Sequence, residues 1–309
     1  MKKIITISLL FIVFLSFITL SIKGNVKNQI LQQNSQTRDS KVGGPFESTN
    51  NSSRYMLTEA MIENQVFYFT KEQAKFAAPD IAAYKGKIFS LFTPGVSLIS
   101  IPFYSLGKLV DLPQLFTYYS VSLFAVLNVF LIYFVTRKLG AGIYTSLISG
   151  FLFLFGTNAF PYALSFTQHH MSTTAILLAL INAFGKRSLR NNILLGVIVG
   201  SSILIDLPNL IMLLPILIYI FIKQFAIVNN KKSLAISFNP SILGFIIGVL
   251  PLVALFAFYN YSLTGSYTKI GQFIGRAEIT KVIGQEKTVV NHEEEKKGEI
   301  KNPDEIDLP

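Results

Sequence analysis

The sequence predicts an all-α polytopic membrane protein, and its composition, its long apolar runs and the placement of its charges support that class. Of the 309 residues, 51% are hydrophobic and 14% are charged, and the mean hydropathy is +0.49. Soluble domains carry about 25% charged residues, so this chain lacks the polar surface of a soluble enzyme. The net charge of +10 is gathered in short clusters between apolar runs. That distribution argues against nucleic acid as a partner.

We expect about seven transmembrane helices. The first apolar run, from Ile4 to Ile22, follows Lys2 and Lys3. It is longer than the core of a secretory signal peptide, and residues 21–24 form a poor cleavage site, so an uncleaved span is favoured over a signal peptide. The other spans cover about residues 116–136, 142–160, 170–185, 192–206, 208–222 and 239–260.

Loop charge predicts the orientation of these spans, because basic loops face the cytoplasm. The segment 91–110 is apolar but contains Pro94, Gly95 and Pro102. If this segment lies on the outer surface as an amphipathic helix, every basic loop cluster falls on the cytoplasmic side together with Lys2 and Lys3. All carboxylates then lie outside. The basic clusters are Arg137 and Lys138; Lys186, Arg187 and Arg190; and Lys223, Lys231 and Lys232.

This topology divides the chain into four segments in the cytoplasmic membrane. They are a first transmembrane helix (1–23), an extracytoplasmic loop with surface helices (24–110), a six-helix transmembrane region (111–262) and an extracytoplasmic charged tail (263–309).

The extracytoplasmic loop contains two patterned stretches. In the first, apolar spacing predicts a helix from Arg54 to Glu63, with N-cap side chains at residues 51–53, that carries Arg54 and Glu59. This helix is either part of a site or an ordinary charged surface helix. In the second, Asp80 precedes a predicted tight turn at Lys85-Gly86-Lys87. Lysines beside a helix start suit a phosphate-bearing lipid, and the alternative is a turn with solvating lysines.

Further polar side chains lie at the predicted outer ends of the spans. His169 and His170 are adjacent and cannot face the same way on a helix, so at most one of them points into a site. Three histidines in the whole chain, without cysteine, make a zinc site improbable. Asp206 interrupts two apolar runs, and it is either a functional ionisable residue or part of an outer hairpin turn. Tyr259 and Asn260 either line a sugar site or anchor the last span at the interface.

These elements together resemble the GT-C superfamily of polyprenyl-phosphate-dependent membrane glycosyltransferases, over roughly residues 1–275. Within this superfamily the chain resembles the bacterial branch that is similar to protein mannosyltransferases and aminoarabinose transferases. The resemblance is carried by Arg54-Tyr55 with Glu59-Ala60, by Asp80 with Gly86-Lys87, Ser90 and Pro94-Gly95, by residues 166–170, and by Tyr259-Asn260 with Gly265-Ser266. Relatives usually continue with further spans, so the resemblance also implies a C-terminally truncated member.

The resemblance implies transfer of a sugar from a polyprenyl-phosphate donor to a lipid, glycan or protein acceptor on the outer face of the membrane. A carboxylate of the outer loop would remove the proton of the acceptor hydroxyl. Many relatives carry an Asp-Glu pair where this chain has Asn51 and Ser52, so the role passes to Asp80, Glu59 or Glu47, with Asp80 preferred. Substrate-binding roles fall to Arg54, Lys85, Lys87, His169, His170, Tyr259 and Asn260.

Two other functions stay open at this stage, as does a divalent metal. The first is a polytopic transporter or lipid-handling membrane protein. Ion-coupled transporters place charges near the midplane of the bilayer, and no charged residue lies in the middle of a predicted span here. The second is a GT-C-like subunit without catalytic activity.

Overall fold

The computed structural model describes residues 2–21, 49–230 and 233–279, and the chain is mostly helical as predicted. Glu47, the first part of the outer loop (24–48) and the charged run near the C-terminus lie outside these residues. The described α-helices are α1 (Lys2–Ser21), α2 (Thr49–Glu59), α3 (Lys71–Ala77), α4 (Gly95–Lys108), α5 (Pro113–Lys138), α6 (Ile143–Phe155), α7 (Ala159–Ala163), α8 (His169–Ala183), α9 (Leu189–Ile205), α10 (Asn209–Ile222) and α11 (Leu243–Thr264).

Two short antiparallel hairpins add strands that the all-α prediction did not contain. They pair β1 (Ile81–Tyr84) with β2 (Lys87–Ser90), and β3 (Phe225–Asn230) with β4 (Ser233–Phe238). The tight turn predicted at Lys85-Gly86-Lys87 is the first hairpin loop. Lys85 and Gly86 have φ of 47° and 75°, the left-handed pair that a two-residue hairpin turn requires.

The apolar helices among the described residues pack side by side into a bundle. Asn128 of α5 contacts the first turn of α8, and Val135 packs near the end of α8, so these two helices are parallel. Gly196 of α9 and Gly248 of α11 lie where a Cβ would overlap the backbone of the other helix, so these helices pack backbone to backbone. We call the end that carries Asp206 the acidic end and the end that carries Arg187 the basic end. All described carboxylates belong to elements of the acidic end.

Two of these helices are long and apolar enough to cross a membrane: α5, and the stretch Pro240–Thr264 that contains α11. Four shorter apolar helices accompany them, at Ser8–Ser21, Ile143–Phe155, Leu189–Ile205 and Asn209–Ile222. Many of their large side chains are exposed, as on Leu147, Ile211 and Ile247. Large apolar side chains exposed in such numbers are typical of contact with lipid or with a partner.

The helix predicted from Arg54 begins earlier, at Thr49, and continues past Glu59 as a π-helical turn, Ala60–Asn64. Residues 51–53 therefore lie inside α2 and do not cap it, which corrects the prediction. The reason is burial: every residue from 51 to 60 is buried, and Ser53 Oγ bonds the Asp80 carbonyl and Ser90 Oγ, both at 2.8 Å. A surface helix is thus excluded for α2.

The predicted surface helix 91–110 forms as α4 and packs on α2, α5 and α9. Its first turn is held against the end of α9, where Thr93 Oγ1 donates to the Ile205 carbonyl at 2.7 Å. A Cβ at Gly95 would overlap the backbone of Leu204 and Ile205, so only glycine permits this approach. The contact brings α2 next to Asp206.

The segment after α11 is folded onto the acidic end as far as Ile279. The Ala277 amide donates to the Ile81 carbonyl at 2.8 Å, and Ile270 and Ile274 pack on the core formed by α2 and β1. The first part of the predicted charged tail therefore belongs to the same packed unit as the outer loop.

Candidate functional site

Arg54 is the most deeply buried cation described at the acidic end. Its side chain is 1% exposed, and its guanidinium lies 3.9 Å from the centre of the Phe92 ring. One nitrogen donates to the Asn50 carbonyl at 3.5 Å, whereas buried Nε has no hydrogen-bond partner among the described residues. Burial lowers the pKa of Arg54 to about 10, while Asp206 and Asp80 act to raise it. The group therefore remains a cation at neutral pH.

A cavity of about 480 Å³ opens at the same end, between α6, α8 and the α9–α10 junction. Gln168 Nε2 donates to Asp206 Oδ2 at 3.3 Å, and the His169 ring lies 4.0 Å from the Tyr162 ring, centre to centre. Asn209 is fixed at the wall by its bonds to Ser172 Oγ at 3.0 Å and to the Ser202 carbonyl. The cavity thus has one carboxylate, one half-buried imidazole and several apolar walls.

Arg54 does not line the cavity, but it lies within electrostatic range of His169, which does. His169 is within electrostatic range of both Arg54 and Asp206, and Arg54 is within range of Asp80. Asp80, His169 and Asp206 therefore all lie within electrostatic range of Arg54. Of the predicted site residues, Arg54, Asp80 and His169 share this end of the bundle.

His170 lines the cavity but has a structural role. One ring nitrogen, Nε2, lies 2.8 Å from the Ala159 carbonyl, and the other, Nδ1, lies 3.3 Å from Asn128 Nδ2. The Asn128 amide also donates to the His170 carbonyl at 2.9 Å and accepts from Thr174 Oγ1 at 2.7 Å. This network fixes the ring and leaves neither nitrogen turned to the cavity.

Neither predicted catalytic carboxylate lines the cavity. Asp80 is buried, and its Oδ1 accepts from Arg276 at 2.6 Å. Glu59 is also buried, accepts from Gln73 Nε2 at 3.0 Å and has a pKa raised by burial. The nearby Glu63 adds to that rise, while the Gln73 hydrogen bond opposes it.

The two predicted lysines occupy the β1–β2 hairpin, away from the cavity walls. Lys85 is exposed at the turn, whereas Lys87 Nζ donates to the Ser262 carbonyl at 2.6 Å and lies over the Tyr68 ring. Lys269 lies over the Tyr84 ring at 4.0 Å on the same surface. These cations form an exposed basic surface near the end of α11.

Tyr259 and Asn260 hold elements together. The buried Tyr259 hydroxyl reaches the Phe92 carbonyl at 3.4 Å, beside Arg54. Asn260 Oδ1 accepts from the Gly271 amide at 2.9 Å and so fixes the chain after α11. Neither side chain lines the cavity described above.

Sequence reasoning missed Arg276 and Gln168. Arg276 carries no local pattern, because it reaches Asp80 only through the fold of the segment after α11. Gln168 is adjacent to His169, and its amide could have been grouped with Asp206 only if the pairing of α8 with α9 were known. Asp206 was visible in the sequence as an ionisable break between two apolar runs.

Comparison with models of known protein families, with curated proteins and with solved structures finds no match for this chain. Across residues 2–21, 49–230 and 233–279, no three His, Asp or Glu side chains are grouped so that they could hold a metal ion. The function must therefore be argued from the acidic end itself.

Proposed function

We propose that the protein is a membrane glycosyltransferase of the GT-C type, which moves a sugar from a polyprenyl-phosphate donor to an acceptor at the acidic end. The observation that carries the proposal is a buried cation, Arg54, within electrostatic range of Asp80, Asp206 and His169, the last two of which line a cavity. This arrangement lies at the end of an apolar helical bundle, where a lipid-borne substrate can arrive from the bilayer.

The chemistry needs two functions from the protein. An acceptor hydroxyl attacks C1 of the donor sugar and gives its proton to a positioned carboxylate, with Asp80 as first choice and Glu59 as second. The bond from C1 to the phosphate oxygen breaks, and the lipid phosphate leaves with an added negative charge. The positive potential of Arg54 favours that charge.

The proposed setting is the cytoplasmic membrane, with the acidic end outside. Positive loops stay in the cytoplasm, and the described basic loops lie at the opposite end of the bundle, in residues 137–138, 186–190 and 223. The exposed basic surface of Lys85, Lys87 and Lys269 is then available to anionic lipid or to the donor phosphate.

The test is sugar transfer by the full chain, purified and reconstituted with polyprenyl-phosphate sugars carrying different hexoses and pentoses. We expect at least one donor to lose its sugar to an added acceptor or to water. Asp80→Asn should lower that rate by about 10²–10⁴-fold, the usual contribution of a general base. If Asp80→Asn keeps the full rate, Asp80 is not the base.

Asp111→Asn is the matched control. Asp111 is an exposed carboxylate between α4 and α5 with φ of 59°, a conformation that asparagine tolerates. The Asp111→Asn variant should leave the rate of sugar transfer unchanged. If no donor is turned over while the wild-type protein moves a lipid-linked sugar across the vesicle bilayer, the transporter alternative is correct.

A further inference from the structure

The exposed face of α11 is an apolar stripe that ends in a pair of tyrosines. Ile247, Leu250 and Phe258 are each more than half exposed, and their spacing puts them on one side of the helix. Tyr261 follows on the same side, and its ring stacks on that of Tyr267, with 4.4 Å between centres and 13° between planes. Tyrosines at the end of an apolar helix face are typical of the level of the lipid headgroups. In the membrane setting proposed above, the stacked pair therefore indicates that level beside α11.

The outer loop is fastened to α11 next to this tyrosine pair. Lys87 Nζ, on the β1–β2 hairpin, donates to the Ser262 carbonyl at 2.6 Å, and Ser262 directly follows Tyr261. Phe67, which precedes α3, contacts the exposed Phe258 ring edge-on, with 6.2 Å between centres. These two contacts hold the hairpin and the loop before α3 against the lipid-facing end of α11.

Two further lysines lie on either side of Tyr84, at the exposed surface of the same hairpin. Lys269 Nζ lies 4.0 Å and Lys85 Nζ 5.6 Å from the centre of the Tyr84 ring, and both lysines are exposed. A hydrogen bond from Lys269, followed by the charges of Lys269 and Lys85, lowers the pKa of the Tyr84 hydroxyl. The potential around Tyr84 is therefore positive, and a negatively charged group is favoured there.

This cationic surface is separate from the cavity between α6, α8 and the α9–α10 junction. None of Tyr84, Lys85 and Lys269 lines that cavity. Because both lysines are exposed, they offer charge without enclosing a ligand, and such a surface selects by charge and depth rather than by shape. That behaviour suits an abundant anionic lipid of the bilayer better than one scarce substrate.

We infer that Tyr84, Lys85 and Lys269 form a headgroup site for anionic phospholipid of the outer leaflet, which seats the outer loop on the membrane surface. The two ammonium groups contact the lipid phosphate, and the Tyr84 hydroxyl donates to one of its oxygens. The stacked tyrosines lie beside the first carbons of the acyl chains. The inference needs the membrane setting of the proposed function but not sugar transfer.

The experiment uses the absence of tryptophan from the chain. Tyr267→Trp supplies a single fluorescent reporter and keeps an aromatic ring beside Tyr261. The full chain with this substitution is reconstituted in phosphatidylcholine vesicles that contain the same minor fraction of either brominated phosphatidylglycerol or brominated phosphatidylcholine. Bromine quenches tryptophan fluorescence at contact, so the quenching reports which lipid lies next to the reporter. Quenching by the brominated phosphatidylglycerol should be greater by about twofold or more, and this excess should shrink as salt is added.

Two double variants in the reporter background make the result specific. Lys85→Gln/Lys269→Gln should remove most of the excess quenching by phosphatidylglycerol. Lys75→Gln/Lys186→Gln is the charge-matched control, because it removes two exposed lysines, one on α3 and one at the basic end, and it should keep the excess.

Three results would overturn the inference. The first is equal quenching by the two brominated lipids, and the second is the same excess in both double variants. The third is loss of the excess when a small fraction of polyprenyl phosphate is added, which would assign the surface to the donor phosphate instead.

The quenching measurement needs neither a donor sugar nor an acceptor, so it separates this inference from the proposed function. A lysine-dependent excess without transfer from any polyprenyl-phosphate sugar would leave the lipid site standing and remove the glycosyltransferase. Transfer without the excess would do the reverse.

Discussion

Arg276 donates a 2.6 Å hydrogen bond to the buried carboxylate of Asp80 and so joins the segment after α11 to the start of β1. The arginine side chain is 61% exposed, whereas that of Asp80 is 7% exposed. The carboxylate therefore depends more on this contact than the guanidinium does, because leaving a buried charge without its donor is costly whereas an exposed guanidinium can be solvated.

Arg276→Gln should lower the free energy of unfolding by about 1–3 kcal/mol, the range for a buried acceptor left without its donor. The measurement is denaturant unfolding of the purified chain in detergent. The double variant Asp80→Asn/Arg276→Gln should lose less free energy of unfolding than the two single variants lose in sum, because the residues are in contact.

Arg190→Gln is the control for this pair, since Arg190 is exposed at the basic end. It should change stability by no more than a few tenths of a kcal/mol, as surface substitutions usually do. Equal losses for Arg276→Gln and Arg190→Gln would show that the ion pair does not stabilise the fold.

Glu59 and Glu63 should give opposite pH dependences of stability. Burial raises the pKa of Glu59, so the folded state favours its proton, and the carboxyl destabilises the fold as pH rises above the unfolded pKa. Glu59→Gln should therefore stabilise the protein near pH 7, with the gain vanishing in acid. The free energy of unfolding of wild type and of Glu59→Gln, measured from pH 4 to 8 in steps of about one pH unit, tests whether the substitution stabilises the fold.

Glu63 is the matched comparison on the next turn. Burial acts to raise its pKa, but hydrogen bonds from Lys108 and Tyr104 outweigh this and lower it. The ionised Glu63 carboxylate stabilises the fold at pH values above its unfolded pKa, and this stabilisation is lost as pH falls. Glu63→Gln should therefore destabilise the protein slightly at pH 7. If both variants shift stability in the same direction at pH 7, the assigned environments are wrong.

Gly95→Ala should disrupt the contact between α4 and α9. The added methyl group would overlap the backbone of Leu204 and Ile205, which cannot rotate away as a side chain can. We expect a loss of about 1–3 kcal/mol, as for other overpacked sites.

Gly142→Ala separates this overlap from the general effect of adding a methyl group. Its Cβ would meet only the Thr145 hydroxyl, at 4.0 Å, and its φ of −64° suits any residue. Gly142 is the N-cap of α6, where alanine is less favourable than glycine, so unfolding curves should show a loss of about 0.5 kcal/mol at this variant, smaller than that at Gly95→Ala. A comparable loss at both glycines would contradict the close approach of α4 to α9.

The proposed topology can be tested with single cysteines, because the chain has none of its own. Lys85→Cys and Arg190→Cys place exposed thiols at the acidic and the basic end. In intact cells a membrane-impermeant maleimide should label the first and leave the second until the membrane is permeabilised. The reverse pattern, or equal labelling of both, would reject an extracytoplasmic site.

The sequence by itself determined the helical class, the approximate bounds of the apolar helices and the separation of carboxylates from basic loops. These features are local: apolar run length, proline position and charge between runs are read from neighbouring residues. The turn at Lys85-Gly86 was equally local, because glycine accepts the left-handed conformation that the hairpin requires.

Only the tertiary structure decided which polar residues share a site. Asp206 could have been an ordinary turn residue, and the same sequence pattern fits His169 or His170 as the exposed imidazole. Helix pairing decides between them: α5 engages His170 through Asn128, which leaves His169 to the cavity, and Gly95 lets α4 pack against the end of α9. Such contacts join residues far apart in the chain, and their energies depend on burial and approach, which no local pattern records.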